Sequence, residues 1–191
     1  MKRQLTKNEI LARMREVKKI SDSSDKSPFT GMATVCNYTL WKNEGWSQKK
    51  LADYNMAVAE YDKKLDSGEV TIEQLQERLW NKADFSVEYV KYTYRDIKSR
   101  KNSFMYELEK KINEANNTIN ELAARYFLMH FNTLMDMGYG KKRLERNKDQ
   151  INNLLNVITS DEKDKSKPRI MDLHKELYEE AGIYIEMPNI A

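Results

Sequence analysis

The chain has little of what breaks a helix or staples a fold. One cysteine, Cys36, excludes an internal disulfide and fits a reducing compartment. Two histidines, His130 and His174, stand too far from each other and from Cys36 for metal-ligand spacing, so no metal or other cofactor is expected. No apolar run approaches the ~20 residues that cross a bilayer, and none follows the basic start "MKRQLTKNE", so no membrane span or signal peptide is read. A cytoplasmic protein is the expectation. Basic and acidic residues nearly balance, 33 against 30, which is too even to imply nucleic acid by itself. No proline occurs between Pro28 and Pro168 and no glycine between Gly68 and Gly138, while Lys, Glu, Leu, Met and Ala abound.

That composition reads as all-α. Thr6 and Glu9 form a capping box before Ile10, Leu11, Met14, Val17 and Ile20, which predicts a helix over 7–20. After the polar linker 21–28, a helix over 31–43 turns Val35, Cys36, Tyr38 and Trp41 inward and ends at Gly45. Ser47 caps a helix carrying Leu51, Tyr54, Val58, Tyr61 and Leu65, which Gly68 stops. Thr71 and Gln74 open a short helix with Ile72, Leu75, Leu79 and Ala83 on one face. Helical spacing continues over 86–137, as one rod or with a break near 99–103; "FSVEYVKYTYRDI" also has the β-branched and aromatic content of a strand. A helix over 141–159 follows. Pro168 suits the first turn of a last helix reaching Glu180, with Gly182 as its stop.

One phrase occurs twice. "EGWSQKKLADYN" starts at Glu44 and "MGYGKKRLERN" at Met137, an offset of 93 residues. Gly45 then meets Gly138, Trp46 meets Tyr139, Lys50 meets Arg143 and Leu51 meets Leu144. Five more residues in the second loop bring Leu75 opposite Leu173, Leu79 opposite Leu177, Trp80 opposite Tyr178 and Ala83 opposite Ala181. The expected architecture is a helical bundle of two similar three-helix units joined by a long helix. Its divisions are an N-terminal helix and linker (1–30), a first unit (31–88), a connecting helix (89–124) and a second unit (125–191). Such a unit buries little apolar surface alone, and two copies can share a core.

The phrase also carries the candidate binding residues. Lys49 and Lys50, and Lys141, Lys142, Arg143 and Arg146, occupy the opening turns of helices, where the macrodipole disfavours cations. Either an anionic partner compensates, or the side chains lie over the aromatic ring and stay solvated. A second basic group, Lys91, Arg95, Lys98, Arg100 and Lys101, is interleaved with tyrosines, a composition that suits phosphate contacts or a protein groove. Its plainer reading is a solvated helix face. The tail from Met171 is acidic by contrast, and ends of opposite sign suit head-to-tail contacts, a homodimer among them. No phosphate-binding glycine loop, nucleophile turn or kinase set is found, so no enzyme is expected. His130, in "FLMHFN", reads as a hydrogen-bonded core residue, and Cys36, opposite Met129, as a small core hydrophobe.

Two resemblances bear on function. "GWSQKKLA" resembles the opening of a repressor-type helix-turn-helix, but "DYNMAVAEYDKKL" lacks the tight turn that should follow. "MDMGYGKKRLERN" with "EEAGIYIE" resembles the C-terminal part of small helical proteins of phages and prophages of Gram-positive bacteria. That resemblance implies a non-enzymatic inhibitor of a host defence nuclease or its guide complex, of anti-CRISPR type. The alternative is a DNA-binding accessory or regulatory protein of a phage.

Overall fold

The computed structural model describes residues 27–88, 104–159 and 168–185, and every element in them is helical. The helices are α1 (Ser27–Glu44), α2 (Gln48–Asp66), α3 (Ile72–Ala83), α4 (Phe104–Asp136), α5 (Lys141–Thr159) and α6 (Ile170–Ala181). The chain is all-α among the described residues. The helix expected over 7–20, residues 89–103 with the strand alternative, and the basic group from Lys91 to Lys101 lie outside them. So does the choice between one rod and two upstream of Phe104. From Phe104 onward α4 runs unbroken to Asp136, across the division placed between 124 and 125.

Local chemistry sets most boundaries. Gly45, Gly68, Gly138 and Gly182 all have φ between +65° and +87°, a backbone that L side chains rarely adopt, and each lies at or just past a helix end. Ser47 Oγ accepts from Lys50 N–H, and Thr71 and Gln74 satisfy each other's backbone donors in a capping box. Two expectations are corrected. α1 starts four residues before Gly31, with Pro28 in its first turn, where a missing N–H costs nothing. Pro168 stays outside α6, because extended Arg169 takes the cap position and its N–H donates to Asp172 Oδ2 at 2.8 Å.

The packing is reciprocal. α1 lies mainly against α6, α4 and α5, and α4 mainly against α1, α3 and α2, while chain neighbours α1 and α2 touch little, as do α4 and α5. α6 is therefore buried by a long helix from the far part of the chain, and α3 by the long helix that follows it among the described residues. Leu75, Leu79 and Ala83 are buried from α3, and Leu173, Leu177 and Ala181 from α6. The core adds Val35, Cys36 and Leu40 from α1, Leu51 and Tyr54 from α2, Leu128, Met129 and Leu134 from α4, and Leu144 and Ile151 from α5. Tyr38 and Trp41, expected inward, are only half-buried. They sit at the seam with α6, where Tyr38 donates to Glu176 Oε2 at 2.9 Å.

Residues opposite each other by the two offsets share their surroundings. Trp80 and Tyr178 are 57% and 58% exposed. Asp84 and Gly182 are both left-handed caps, and the next N–H groups, of Phe85 and Ile183, donate to the Leu79 and Leu177 carbonyls. Gln48 Nε2 donates to the Gly182 carbonyl, while its opposite number Lys141 pairs with Asp84.

Candidate functional site

The repeated phrase meets itself in space. Gly45 and Gly138 turn the chain out of α1 and α4, and Trp46 and Tyr139 drop into the core edge to face, ring centroids 6.1 Å apart. Trp46 N–H donates to the Leu40 carbonyl and Tyr139 N–H to that of Leu134, which fixes both rings at helix ends. Four residues on, Lys50 Nζ stands 4.0 Å from the Trp46 ring centre and the Arg143 guanidinium 3.7 Å from that of Tyr139. Both cations therefore lie over the rings, as amphipathic side chains do where an apolar body meets water.

Anions from within the chain meet most of the second cluster. Glu44, the last residue of α1, has a side chain only 5% exposed. Arg146 Nη2 donates to both its oxygens, at 2.8 and 2.9 Å; Tyr139 donates to Oε2 at 3.3 Å, and Arg143 is 3.6 Å away. Lys141 pairs with Asp84, and the hydrogen bond raises the lysine pKa. Lys49 and Lys142 are exposed and have no ion-pair partner among the described residues. Of the candidate residues, Lys50 and Arg143 thus lie over the ring pair, Arg143 also near Glu44; Lys141 and Arg146 are held by carboxylates; and Lys49 and Lys142 are exposed, one residue before Lys50 and Arg143 in the chain. Sequence reasoning missed Glu44, though it opens the quoted phrase; the second copy has Met137 there, so the match itself gave no signal.

Below this face lies a buried polar chain. Tyr126 and Tyr54 hydroxyls are 3.3 Å apart, Tyr54 is 2.7 Å from His130 Nδ1, and His130 Nε2 is 2.8 Å from Asn147 Oδ1. With Asn147 Oδ1 accepting from Nε2–H, Nδ1 is the bare nitrogen and Tyr54 donates to it. All four side chains are essentially inaccessible, so the array orders the core and no substrate reaches it. Burial outweighs the Asn147 bond and lowers the His130 pKa to about 4. His174 donates from Nε2 to the Ile185 carbonyl at 2.7 Å and orders the chain after α6.

Ion pairs flank the reciprocal seams. Arg78 of α3 bridges Asp136 of α4 and donates to Asn132 Oδ1 at 3.0 Å, while Tyr61 donates to Asp136 at 2.6 Å. At the other seam, Lys42 of α1 pairs with Glu176 of α6 at 2.5 Å. Arg78 and Glu176 are opposite each other by offset, so the same position carries opposite charge. Partial burial raises the Asp136 pKa, but the bonds from Arg78 and Tyr61 outweigh it and leave it lowered; the Lys42 hydrogen bond lowers that of Glu176.

An open groove of about 580 Å³ lies between the α2–α3 turn and α4, lined by Leu65, Val70, Ile72, Leu122 and Arg125, away from the ring pair. Among the described residues no three His, Cys, Asp or Glu side chains gather as metal ligands would. No family model, curated protein or solved structure matches the chain.

Two outcomes are expected. Changing Arg143 and Arg146 together to Gln leaves the Glu44 carboxylate with Tyr139 alone. Stability should fall by about 2 kcal/mol in denaturant unfolding, and adding Glu44→Gln should restore much of it. Lys49→Gln with Lys142→Gln should stay within about 0.5 kcal/mol of wild type. Equal effects of the two pairs would remove the structural role of Glu44.

For His130 the folded state holds a proton only below about pH 4, whereas the unfolded chain takes one up near its ordinary value of ~6.5. Stability is complete above that ordinary value and falls as the pH drops towards the folded one, by about 3 kcal/mol over the whole window. Asp136 and Glu176, with lowered values, titrate below most of that range. Urea unfolding at pH 7 and pH 5 should show the loss in wild type and little of it in His130→Gln; identical losses would contradict the assignment.

Proposed function

We propose that this is a non-enzymatic binding protein of phage or mobile-element type, which docks on a host defence nuclease or its guide complex in the manner of an anti-CRISPR protein. The observation that carries the reading is the paired helix starts. Lys50 and Arg143 lie over two buried rings that touch each other, and exposed Lys49 and Lys142 precede them on the same helix starts. A cationic surface of that kind suits contact with an anionic macromolecule better than enclosure of a small substrate. The inaccessibility of the Tyr54–His130–Asn147 array supports a non-catalytic reading. Burial of Trp46 and Tyr139 removes them as base-stacking platforms, which favours carboxylates of a protein over unpaired bases. The uninterrupted α2, running 19 residues from Gln48, has no turn where a helix-turn-helix reader needs one.

The architecture belongs to the same proposal. The chain is an internal duplication of a three-helix unit, α1–α3 and the last part of α4 with α5 and α6, fused so that each copy is folded by the other. Matched caps, exposures and reciprocal seams support it. Two copies bring two helix starts to one place, doubling the positive charge there.

The test compares wild type with Lys49→Gln/Lys142→Gln, whose folding should be intact. A pull-down from host lysate, with and without nuclease treatment, should capture a defence nuclease with wild type and lose most of it with the variant. Capture should weaken only modestly with salt, and mainly through association rate. Binding to naked duplex DNA with a log–log salt slope near −0.9 per phosphate, abolished by the same changes, would overturn the protein-inhibitor reading in favour of a DNA-binding accessory protein.

A further inference from the structure

The groove between the α2–α3 turn and α4 is an apolar floor with an acidic rim. Leu65, Val70, Ile72 and Leu122 line it, and all four are only half-buried. Glu73 and Glu121 also line it, both exposed and with no ion pair among the described residues. Glu69, just before Val70, is exposed as well. The cations around the groove offset little of this. Arg125 is held by Asp62 and Asp66, and Lys64 stands 3.8 Å from Glu60. Lys63, on the last turn of α2, is exposed.

The chain carries a segment of the opposite character. Over 7–20, where the sequence predicts an amphipathic helix, Met14 centres a stripe with Ile10, Leu11 and Val17. At about 100° per residue, Lys7, Arg13, Arg15 and Lys18 flank that stripe. Glu9 and Glu16 fall on the opposite side. The place where this segment joins the bundle is also close to the groove. The chain enters α1 at Ser27, and Phe29 packs edge-on against Tyr126 of α4, ring centroids 4.9 Å apart. Tyr126 is one turn past Leu122 and next to Arg125, so α1 begins beside the groove. Residues 21–26, extended, reach about 20 Å, enough to lay the segment along it.

We propose that the groove is a helix-binding site whose occupant is residues 7–20 of the same chain. Ile10, Leu11, Met14 and Val17 lie on its apolar floor, and the flanking lysines and arginines face Glu73 and Glu121. Anchors spaced by three, four and seven residues are those by which an amphipathic helix fills a hydrophobic groove. The tether favours the chain's own segment over a free one, because a short linker holds it at an effective concentration on the order of millimolar. A modest contact therefore suffices. The site is independent of the cationic face at the helix starts.

Amide hydrogen exchange and cysteine cross-linking on the full chain test this. An isolated helix of this length is marginal in water, so slow exchange over 10–17 reports docking. In wild type those amides should exchange at least about tenfold more slowly than in an unstructured chain. Glu73→Gln with Glu121→Gln, both at exposed positions, should cut that protection by about fivefold. Met14 is at the middle of the stripe, so it meets the groove whichever way the helix runs. Met14→Cys with Leu122→Cys should therefore oxidise to a disulfide within the monomer, Cys36 being buried and out of reach. Ala12→Cys with Leu122→Cys, which puts the thiol on the back of the helix, should not. Unprotected amides over 10–17 in wild type, or protection indifferent to the two carboxylates, would overturn the inference. So would failure of the Met14→Cys pair to link, equal linking of both pairs, or linked dimers, which would give the groove to a second copy's segment.

Discussion

The short helices α3 and α6 cannot hold themselves. Each has 12 residues, below the length at which an isolated helix persists in water. Each buries two leucines and an alanine, and the surface that covers them belongs to another helix, α4 for Leu75 and Leu79 and, remote in sequence, α1 for Leu173 and Leu177. Burying a leucine is worth about 1.5–3 kcal/mol. That gain arises only when both parts of the chain are in place. The buried Trp46–Tyr139 contact and the Tyr54–His130 bond tie the same two parts together at the centre.

Ion pairs then say which parts go together. Arg78 faces Asp136, and Glu176 faces Lys42. These pairs are partly exposed, so each contributes modestly to stability. At the helix starts the macrodipole disfavours cations, and Glu44, Asp84 and the rings offset this from within the fold for Lys50, Lys141, Arg143 and Arg146 but not for Lys49 and Lys142.

Much of this was legible in the residues, for physical reasons. Capping and left-handed glycines are local, so Thr71 with Gln74, Gly45, Gly138 and the span of α5 could be read directly. Apolar spacing identified Leu51, Tyr54, Leu75 and Leu79 as core, because periodicity reports which face is buried. It does not report what buries it. The reciprocal seams, the half-buried Tyr38 and Trp41, and the partners of His130 all depend on helices far apart in sequence. Glu44 was hidden for a related reason: a carboxylate beside a glycine turn looks solvated until two arginines arrive from α5. Pro168 misled because a favourable first-turn residue was outcompeted by the Arg169–Asp172 cap. The cationic cluster was visible as residues, but its division into Lys49 and Lys142, left exposed, and Lys141 and Arg146, held by carboxylates, was not.

The central claim is that neither part of the chain is stable without the other, and amide hydrogen exchange on Leu177→Ala tests it most directly. Removing Leu177 takes a buried side chain from α6, at a cost of about 3 kcal/mol. If the parts are interdependent, the most protected amides of α1, α2 and α4 should lose protection by the same free energy as those of α5 and α6. Loss confined to α5 and α6, with residues 27–88 exchanging as in wild type, would contradict the account.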